Sequence, residues 1–211
     1  VWPGAGNINT DPQFCGWDTG EVWVDASRPG PGAGTLADPY SSLSLALGTY
    51  RLSLGPSSPC LGAGEGGVNM GAALGTCEGA GSDTRGVHLG PGTYSSEGYD
   101  LTHHVSIEGT GQESTVIEGT VYGLRSGALL SSLKVTRGRS GGIVVGYGQN
   151  PVIRDCTISG NSAGFGGGVF CQGASSPTLT NCTIAGNTAN GVSEPLAQGG
   201  AGGGVYCGSN S

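Results

Sequence analysis

Two segments of this chain are near copies of each other, and this repeat limits the fold more than any single motif does. Residues 151–171 and 177–207 match position by position, with extra residues in the second copy between Asn187 and Gly202. A more degenerate copy precedes them at residues 130–145. A unit of this length cannot bury its own apolar face, so it must stack on its neighbours.

Each copy contains short β-branched runs that alternate apolar and polar residues, separated by corners of Gly, Asn, Ser or Pro. This alternation is typical of strands, and no copy has a helical period. The chain contains 45 glycines and 11 prolines, the two least favourable residues in a helix interior. The glycines follow no three-residue period, which excludes collagen. The sequence therefore predicts an all-β fold in which successive coils stack as a parallel β-solenoid.

The offset between copies predicts which side chains lie over one another along the solenoid axis. Ile143 and Val169 are 26 positions apart, and Leu130 and Ile153 are 23 apart. Consecutive coils pair at a spacing of about 4.8 Å, so equivalent side chains form ladders. The expected ladder residues are Asn161 and Asn187 at one corner, Cys156 and Cys182, and an interior column of Val145, Cys171 and Cys207. The two asparagines are expected to adopt the left-handed conformation and to bond each other's amides.

The chain divides at about residue 85. Residues 86–211 are expected to form roughly five coils, whose opening strands lie near residues 86–89, 104–108 and 115–118. Residues 1–85 are rich in Gly and Pro and are expected to form an irregular segment that caps or connects the coils.

Four short motifs within residues 87–206 are shared with a known family. They are Gly90-Pro91-Gly92-Thr93-Tyr94, Val105-Ser106-Ile107-Glu108-Gly109, Ile158-Ser159-Gly160-Asn161 and Gly166-Gly167-Gly168-Val169. In these motifs the chain resembles the right-handed parallel β-helix proteins of the pectate-lyase-like superfamily, especially bacterial surface proteins with polymorphic-outer-membrane-protein-like repeats. Residues 22–27 and 38–43 look like the segment that commonly opens such a β-helix. The resemblance implies a right-handed fold, but that architecture hosts lyases, hydrolases, adhesins and structural spikes.

The order of these segments predicts an assembly. Residues 1–14 and 50–64 resemble segments that normally close such a β-helix, yet they come first, while residues 207–211 fall in the middle of a coil. An open coil edge must be covered, since it presents unpaired backbone groups. We expect the first segment of one subunit to cover the last coil of the next, giving a head-to-tail homopolymer. The expected contact residues are Trp2, Ile8 and Phe14 on one side, and Val205 and Cys207 on the other. The alternative is an excerpt of a longer tandem array.

Charge and composition limit the classes of partner that the chain is expected to bind. The net charge of −7 gives no footprint for nucleic acid, and no apolar run reaches the length of a membrane span. Seven cysteines, one lysine and abundant Gly, Ser and Thr favour an extracellular or cell-surface protein, on which glycans are expected partners. The chain begins with neither Met nor a signal peptide, so it is mature, processed or an excerpt.

The sequence offers few candidates for catalytic, metal-binding or cofactor-binding residues. The G-x-S-x-G pattern at residues 160–164 recurs as a repeat corner, and the G-x-G-x-x-G pattern at residues 62–67 lacks a surrounding βαβ unit. No catalytic residue, metal ligand or cofactor is therefore assigned. Cys60 and Cys77 are the better candidates for a disulfide, while Cys156 and Cys182 either bridge or stack as free thiols.

An acidic and basic cluster supports the runner-up function. It comprises Glu108, Glu113 and Glu118 with Arg125, Lys134, Arg137, Arg139 and Arg154. The expected function is a non-enzymatic structural subunit of a β-helical filament or adhesive fibre. The alternatives are a carbohydrate-active β-helix enzyme on acidic polysaccharide and a monomeric glycan-binding adhesin.

Overall fold

The computed structural model describes residues 14–17, 21–48, 52–54, 73–74, 85–102, 105–191 and 202–208. The chain forms two compact units, Val1–Gly20 with Thr49–Asp83, and Glu21–Gly48 with Thr84–Ser211. The division at residue 85 separates the repeats, but residues 21–48 belong with the coils. The reason is that they pair with a strand more than sixty residues away, which is a long-range contact.

The described strands are mostly short. They are β1 (Phe14–Trp17), β2 (Val22–Val24), β3 (Leu52–Leu54), β4 (Ala73–Leu74), β5 (Arg85–Leu89), β6 (Gly92–Asp100), β7 (Val105–Glu108), β8 (Thr115–Tyr122), β9 (Leu129–Thr136), β10 (Ile143–Val145), β11 (Val152–Ser159), β12 (Ser162–Ala163), β13 (Val169–Cys171), β14 (Thr178–Thr180), β15 (Thr183–Ala185), β16 (Thr188–Ala189) and β17 (Val205–Cys207). The residues that the structure describes include one helix, α1, which spans Leu43–Gly48. In the described part of the chain, no helix has the length and apolar character needed to cross a membrane.

In the first unit, β1 pairs antiparallel with β3, and β3 pairs parallel with β4. The second unit is a right-handed parallel β-helix with three main ladders of strands and a short fourth one, in which β12 pairs with β16. The first ladder runs through β2, β5, β7 and the first halves of β9 and β11 to β14. The second runs through the first halves of β6 and β8 and the second halves of β9 and β11 to β15. The third runs through the second halves of β6 and β8 to β10, β13 and β17.

We call each circuit of the three ladders a rung. The five rungs begin at β5, β7, β9, β11 and β14, so the path from the first to the last makes about four turns. The predicted offsets are correct, because Ile143 pairs with Val169 and Leu130 with Ile153. The predicted all-β, right-handed parallel β-helix is confirmed.

The core consists of one column of apolar side chains beneath each ladder. In the first ladder the column includes Ile107, Leu130 and Ile153, each with no exposed surface. Equivalent columns in the other two ladders are Ile117, Val135 and Ile158, and Val121, Ile143 and Val169. Burying an aliphatic side chain of this size contributes about 1.5–3 kcal/mol, so stacking stabilises each rung through its neighbours.

The first end of the β-helix is closed by its own chain. Residues 34–40 fold back along β2, where the Tyr40 amide donates to the Trp23 carbonyl at 2.8 Å and the Asp25 amide donates to the Tyr40 carbonyl at 2.8 Å. Helix α1 begins after Ser42, whose hydroxyl accepts a bond from the Leu45 amide at 3.1 Å. Its apolar face inserts Leu43 into the core, and only 1% of that side chain is exposed.

The corners use left-handed backbone, but not at the residues expected. Asn161 and Asn187 do not adopt it; the residues that do are the preceding Gly160 (φ 67°) and Gly186 (φ 62°). Glycine takes this conformation without the steric cost of a Cβ atom, which leaves each asparagine free to point inward. A second corner, between the first and second ladders, has Asp155 at φ 52°.

Candidate assembly surface

The fifth rung, formed by β14, β15 and β17, lies at the far end of all three ladders. Among the described strands, none pairs with the outer edge of these three. Each strand therefore presents one row of backbone amide and carbonyl groups with no strand beside it, which is the chemistry of a sheet edge that can accept another strand.

The inward-facing side chains of this rung are more exposed than their equivalents one rung earlier, which are buried. Val205 is 41% exposed, whereas Val169 directly above it has no exposed surface. Cys207 is exposed although it was predicted to lie in an interior column, because no described residue covers it from below. The column itself exists: Val145 pairs with Cys171, and Cys171 with Cys207.

Two further apolar residues complete this end surface. Leu179 and Ile184 are half-buried and pair with the fully buried Ile153 and Ile158. Sequence reasoning selected Val205 and Cys207 but missed these two, although the repeat alignment carried the signal. The surface that we call the end surface is Leu179, Ile184, Val205 and Cys207.

Asparagines at one corner tie the fourth rung to the third and the fifth rung to the fourth. Asn161 accepts the Gly138 amide through Oδ1 at 2.8 Å and donates through Nδ2 to the Val135 carbonyl at 3.1 Å. Asn187 repeats both contacts one rung later, accepting the Asn161 amide at 3.0 Å and donating to the Ile158 carbonyl at 2.8 Å. The two side chains also bond each other, since Asn161 Nδ2 donates to Asn187 Oδ1 at 3.0 Å.

In the fifth rung, this pattern leaves one backbone amide without a described acceptor. The amides of Gly138 and Asn161 are each capped by an asparagine from the following rung. No described residue accepts the corresponding amide of Asn187. A rung stacked below would satisfy that amide if it carried an asparagine or another short acceptor at the same corner.

Glycine makes close stacking possible beside this corner. A Cβ atom at Gly168 would lie 2.5 Å from the Gly204 carbonyl oxygen, and one at Gly142 would lie 2.8 Å from the Gly168 carbonyl oxygen. Gly204 holds the same position in the fifth rung, where a Cβ atom would meet only Ile184 Cγ2, at 3.7 Å. The space that a next rung would occupy is therefore open.

Four cysteines of the β-helix are free thiols, arranged as two pairs that each span the fourth and fifth rungs. Cys156 and Cys182 occupy equivalent positions, and each thiol donates to a carbonyl two residues before it, at 3.1 and 3.3 Å. Burial raises the pKa of Cys156 to about 12, so this thiol stays protonated at neutral pH. Cys60 and Cys77, the predicted disulfide, lie outside the described residues.

Of the predicted contact residues on the other side, Trp2 and Ile8 also lie outside the described residues. Phe14 begins β1 in the first unit. The predicted contact between these residues and the fifth rung therefore stays a prediction.

The predicted acidic and basic cluster is spread over several faces. Arg137 Nη1 lies 2.9 Å from Glu118 Oε1. Glu108 lies elsewhere, 3.7 Å from His88 Nδ1, and Glu113 is in an exposed turn. Among the described side chains, no group of three or more His, Cys, Asp or Glu is placed to hold a metal ion.

The Glu118–Arg137 pair lies in a lateral groove. The groove has a volume of about 340 Å³ and is also lined by Ser95, Glu97 and Arg139. Ser95 donates to Glu118 at 2.9 Å. Both charges and hydroxyls are available there to a polar ligand.

Comparison with known proteins identifies the coils. A sequence model for the family described as the right handed beta helix region matches residues 86–210. The matched range begins within β5 and contains every later strand of the second unit. No curated protein and no solved structure matches the chain.

Proposed function

The chain belongs to the right-handed β-helix family, and we propose that it is a structural subunit that assembles end to end through its fifth rung. The observation that carries the proposal is the contrast between Val169 and Val205, two paired residues with 0% and 41% exposure. Side chains of this size are normally buried in the column, and covering them stabilises the assembly through the hydrophobic effect.

The geometry of the other end supports a heterologous contact. The outer edge of β2 is already occupied by residues 34–40, and α1 contacts β2 and β6. Two copies that met at these first ends would therefore find no free strand edge to pair with. A head-to-tail contact in which a separate segment covers the fifth rung leaves each copy with one donor surface and one acceptor surface, so the contact propagates as a filament.

We assign the covering segment to residues 1–14 of another copy. The Gly6-Asn7 pair repeats the Gly160-Asn161 and Gly186-Asn187 pairs that form the asparagine corner. An asparagine at this corner of a sixth rung would accept the open amide of Asn187, as Asn187 does for Asn161. Asn7 is the candidate for that role, and the resemblance of residues 1–14 to closing segments supports the same assignment.

The proposed setting is extracellular, on a surface or in an adhesive fibre. Composition supports it, with abundant Gly, Ser and Thr and one lysine. The resemblance to bacterial surface proteins with polymorphic-outer-membrane-protein-like repeats points the same way.

The test uses Gly204→Ala in the full chain. The added methyl group has room within one copy, but in a stack it would meet the carbonyl of the next rung, as a Cβ atom at Gly168 would meet Gly204. Sedimentation velocity should show wild-type assemblies that grow with concentration and appear as filaments in negative-stain images. Gly204→Ala should remain monomeric with an unchanged circular dichroism spectrum.

Gly146→Ala is the matched control, since its Cβ atom would also meet a single side-chain atom at 3.7 Å, Gln149 Cγ, away from the end surface. It should assemble like the wild type. A wild-type chain that stays monomeric at every concentration contradicts the proposal, as does a Gly204→Ala variant that assembles normally. Asn7→Ala tests the assigned segment, and unchanged assembly would reject that part.

A second candidate is glycan binding in the lateral groove, favoured by the Glu118–Arg137 pair and its neighbouring hydroxyls. An acidic oligosaccharide would pair with Arg137, which is 74% exposed. Titration calorimetry with acidic and neutral oligosaccharides should show binding of the acidic one that Arg137→Ala weakens. Absence of binding to either would remove this candidate.

A further inference from the structure

The two cysteines of the third ladder are paired in register, one rung apart. Cys171 in β13 and Cys207 in β17 are direct partners in a parallel ladder. Neighbouring strands lie about 4.8 Å apart, within the Cα separation of about 4.4–6.8 Å that disulfides span. Both residues occupy the inward-facing position of their strand, so both side chains point the same way along the column.

The two cysteines differ in their access to solvent. Cys171 is 1% exposed, whereas Cys207 is exposed on the end surface. An external reagent can therefore reach the Cys207 sulfur, whereas the Cys171 sulfur is buried in the neighbouring rung.

Cys156 and Cys182 form a natural comparison, because they also lie one rung apart at an inward position. Cys156 donates to the carbonyls of Arg154 and Leu130, at 3.1 and 3.6 Å. Cys182 donates to those of Thr180 and Ile153, at 3.3 and 3.5 Å. Each thiol is thus held by carbonyl groups rather than by the other thiol.

We propose that Cys171 and Cys207 form a reversible disulfide by exchange with a low-molecular-weight disulfide such as oxidised glutathione. The Cys207 thiolate attacks one glutathione sulfur, forming a mixed disulfide and releasing a glutathione thiolate, which takes up a proton. Cys171 then loses its proton to solvent and attacks Cys207 Sγ, so the second glutathione leaves as thiolate and is protonated. The two thiols are oxidised, and one oxidised glutathione is reduced to two glutathione molecules.

The bridge would tie the fifth rung covalently to the fourth. It would close the segment between β13 and β17, which contains the insertion between Asn187 and Gly202. The second step is expected to be slow, because burial raises the pKa of Cys171 to about 12 and few molecules carry the thiolate at neutral pH. Its rate should therefore rise as the pH rises.

The experiment treats the reduced full chain with a glutathione redox buffer, blocks free thiols by alkylation, and maps disulfides by peptide mass spectrometry. The Cys171–Cys207 peptide pair should exceed the Cys156–Cys182 pair by at least about tenfold, equivalent to about 30 mV in reduction potential. Cys207→Ser should abolish the cross-link and leave Cys171 unmodified.

Cys171→Ser and Cys171→Ala provide the complementary test, and circular dichroism shows whether each folds. In a folded variant, Cys207 should accumulate as the glutathione mixed disulfide, since no second thiol resolves it. The proposal is overturned if wild-type Cys207 stops at the mixed disulfide, if it joins another cysteine instead, or if Cys156–Cys182 forms as readily. Monomeric protein suffices for all of these readouts, so they are independent of assembly.

Discussion

Replacing Asn161 by alanine should destabilise the β-helix far more than the same change at Asn187. Asn161 is 2% exposed and fills a site between three rungs. The substitution removes the acceptor of the buried Gly138 amide and the donor to the buried Val135 carbonyl. Neither group can turn to water, because both bonds lie in the core.

The size of the effect follows from those two groups. A buried polar group left without a partner costs about 1–3 kcal/mol, so two of them together cost about 2–6 kcal/mol. Asn187 makes the equivalent pair of bonds, but these are only partly buried and face the open end. Water can replace the lost partners there, and we expect a loss of about 0.5–1.5 kcal/mol.

Urea unfolding followed by circular dichroism measures both variants against the wild type. The concentration of protein should be low and equal in the three samples, so that assembly does not contribute to stability. A loss below about 1 kcal/mol for Asn161→Ala, or equal losses at the two positions, would refute the view that buried amide bonds hold the rungs together.

Two further predictions concern the folded chain. Gly168→Ala should lower the free energy of unfolding by at least about 2 kcal/mol, since its methyl group would overlap the Gly204 carbonyl. Gly204→Ala should change that free energy by less than about 0.5 kcal/mol in monomeric protein. Thermal melts measure both variants, and equal shifts would contradict the prediction. Burial raises the pKa of Cys156 from 9.0 to about 12, so between these values the native chain holds a proton that the unfolded chain has lost. The free energy of unfolding should therefore fall as pH rises from about 9 to about 12, and Cys156→Val should reduce that slope; a slope unaffected by the variant would count against it.

The register of the coils could be predicted from the sequence because the repeat itself encodes it. Equivalent residues such as Ile143 and Val169 differ by one coil, and parallel pairing places them side by side. The inward position of Cys171 followed from the same alignment and period of two. The local sequence pattern was sufficient to predict the register and the inward-facing positions wherever the structure repeats.

Features that depend on long-range or single contacts were not predictable in the same way. Helix α1 has six residues, too few for a helical period, and it forms where Leu43 can enter the core. The left-handed corner was assigned to Asn161 rather than to Gly160, because both residues tolerate that conformation. The Glu118–Arg137 pair arises from the stacking of β8 on β9, which brings together residues 19 positions apart.

The most direct test of assembly through the fifth rung is amide hydrogen exchange measured over a range of protein concentrations. The outer-edge amides of β14, β15 and β17, together with that of Asn187, should exchange quickly in dilute samples and slow down as concentration rises. Core amides such as that of Ile143, already bonded to Gly168, should not change. Exchange of the fifth rung that stays fast and independent of concentration would contradict the account.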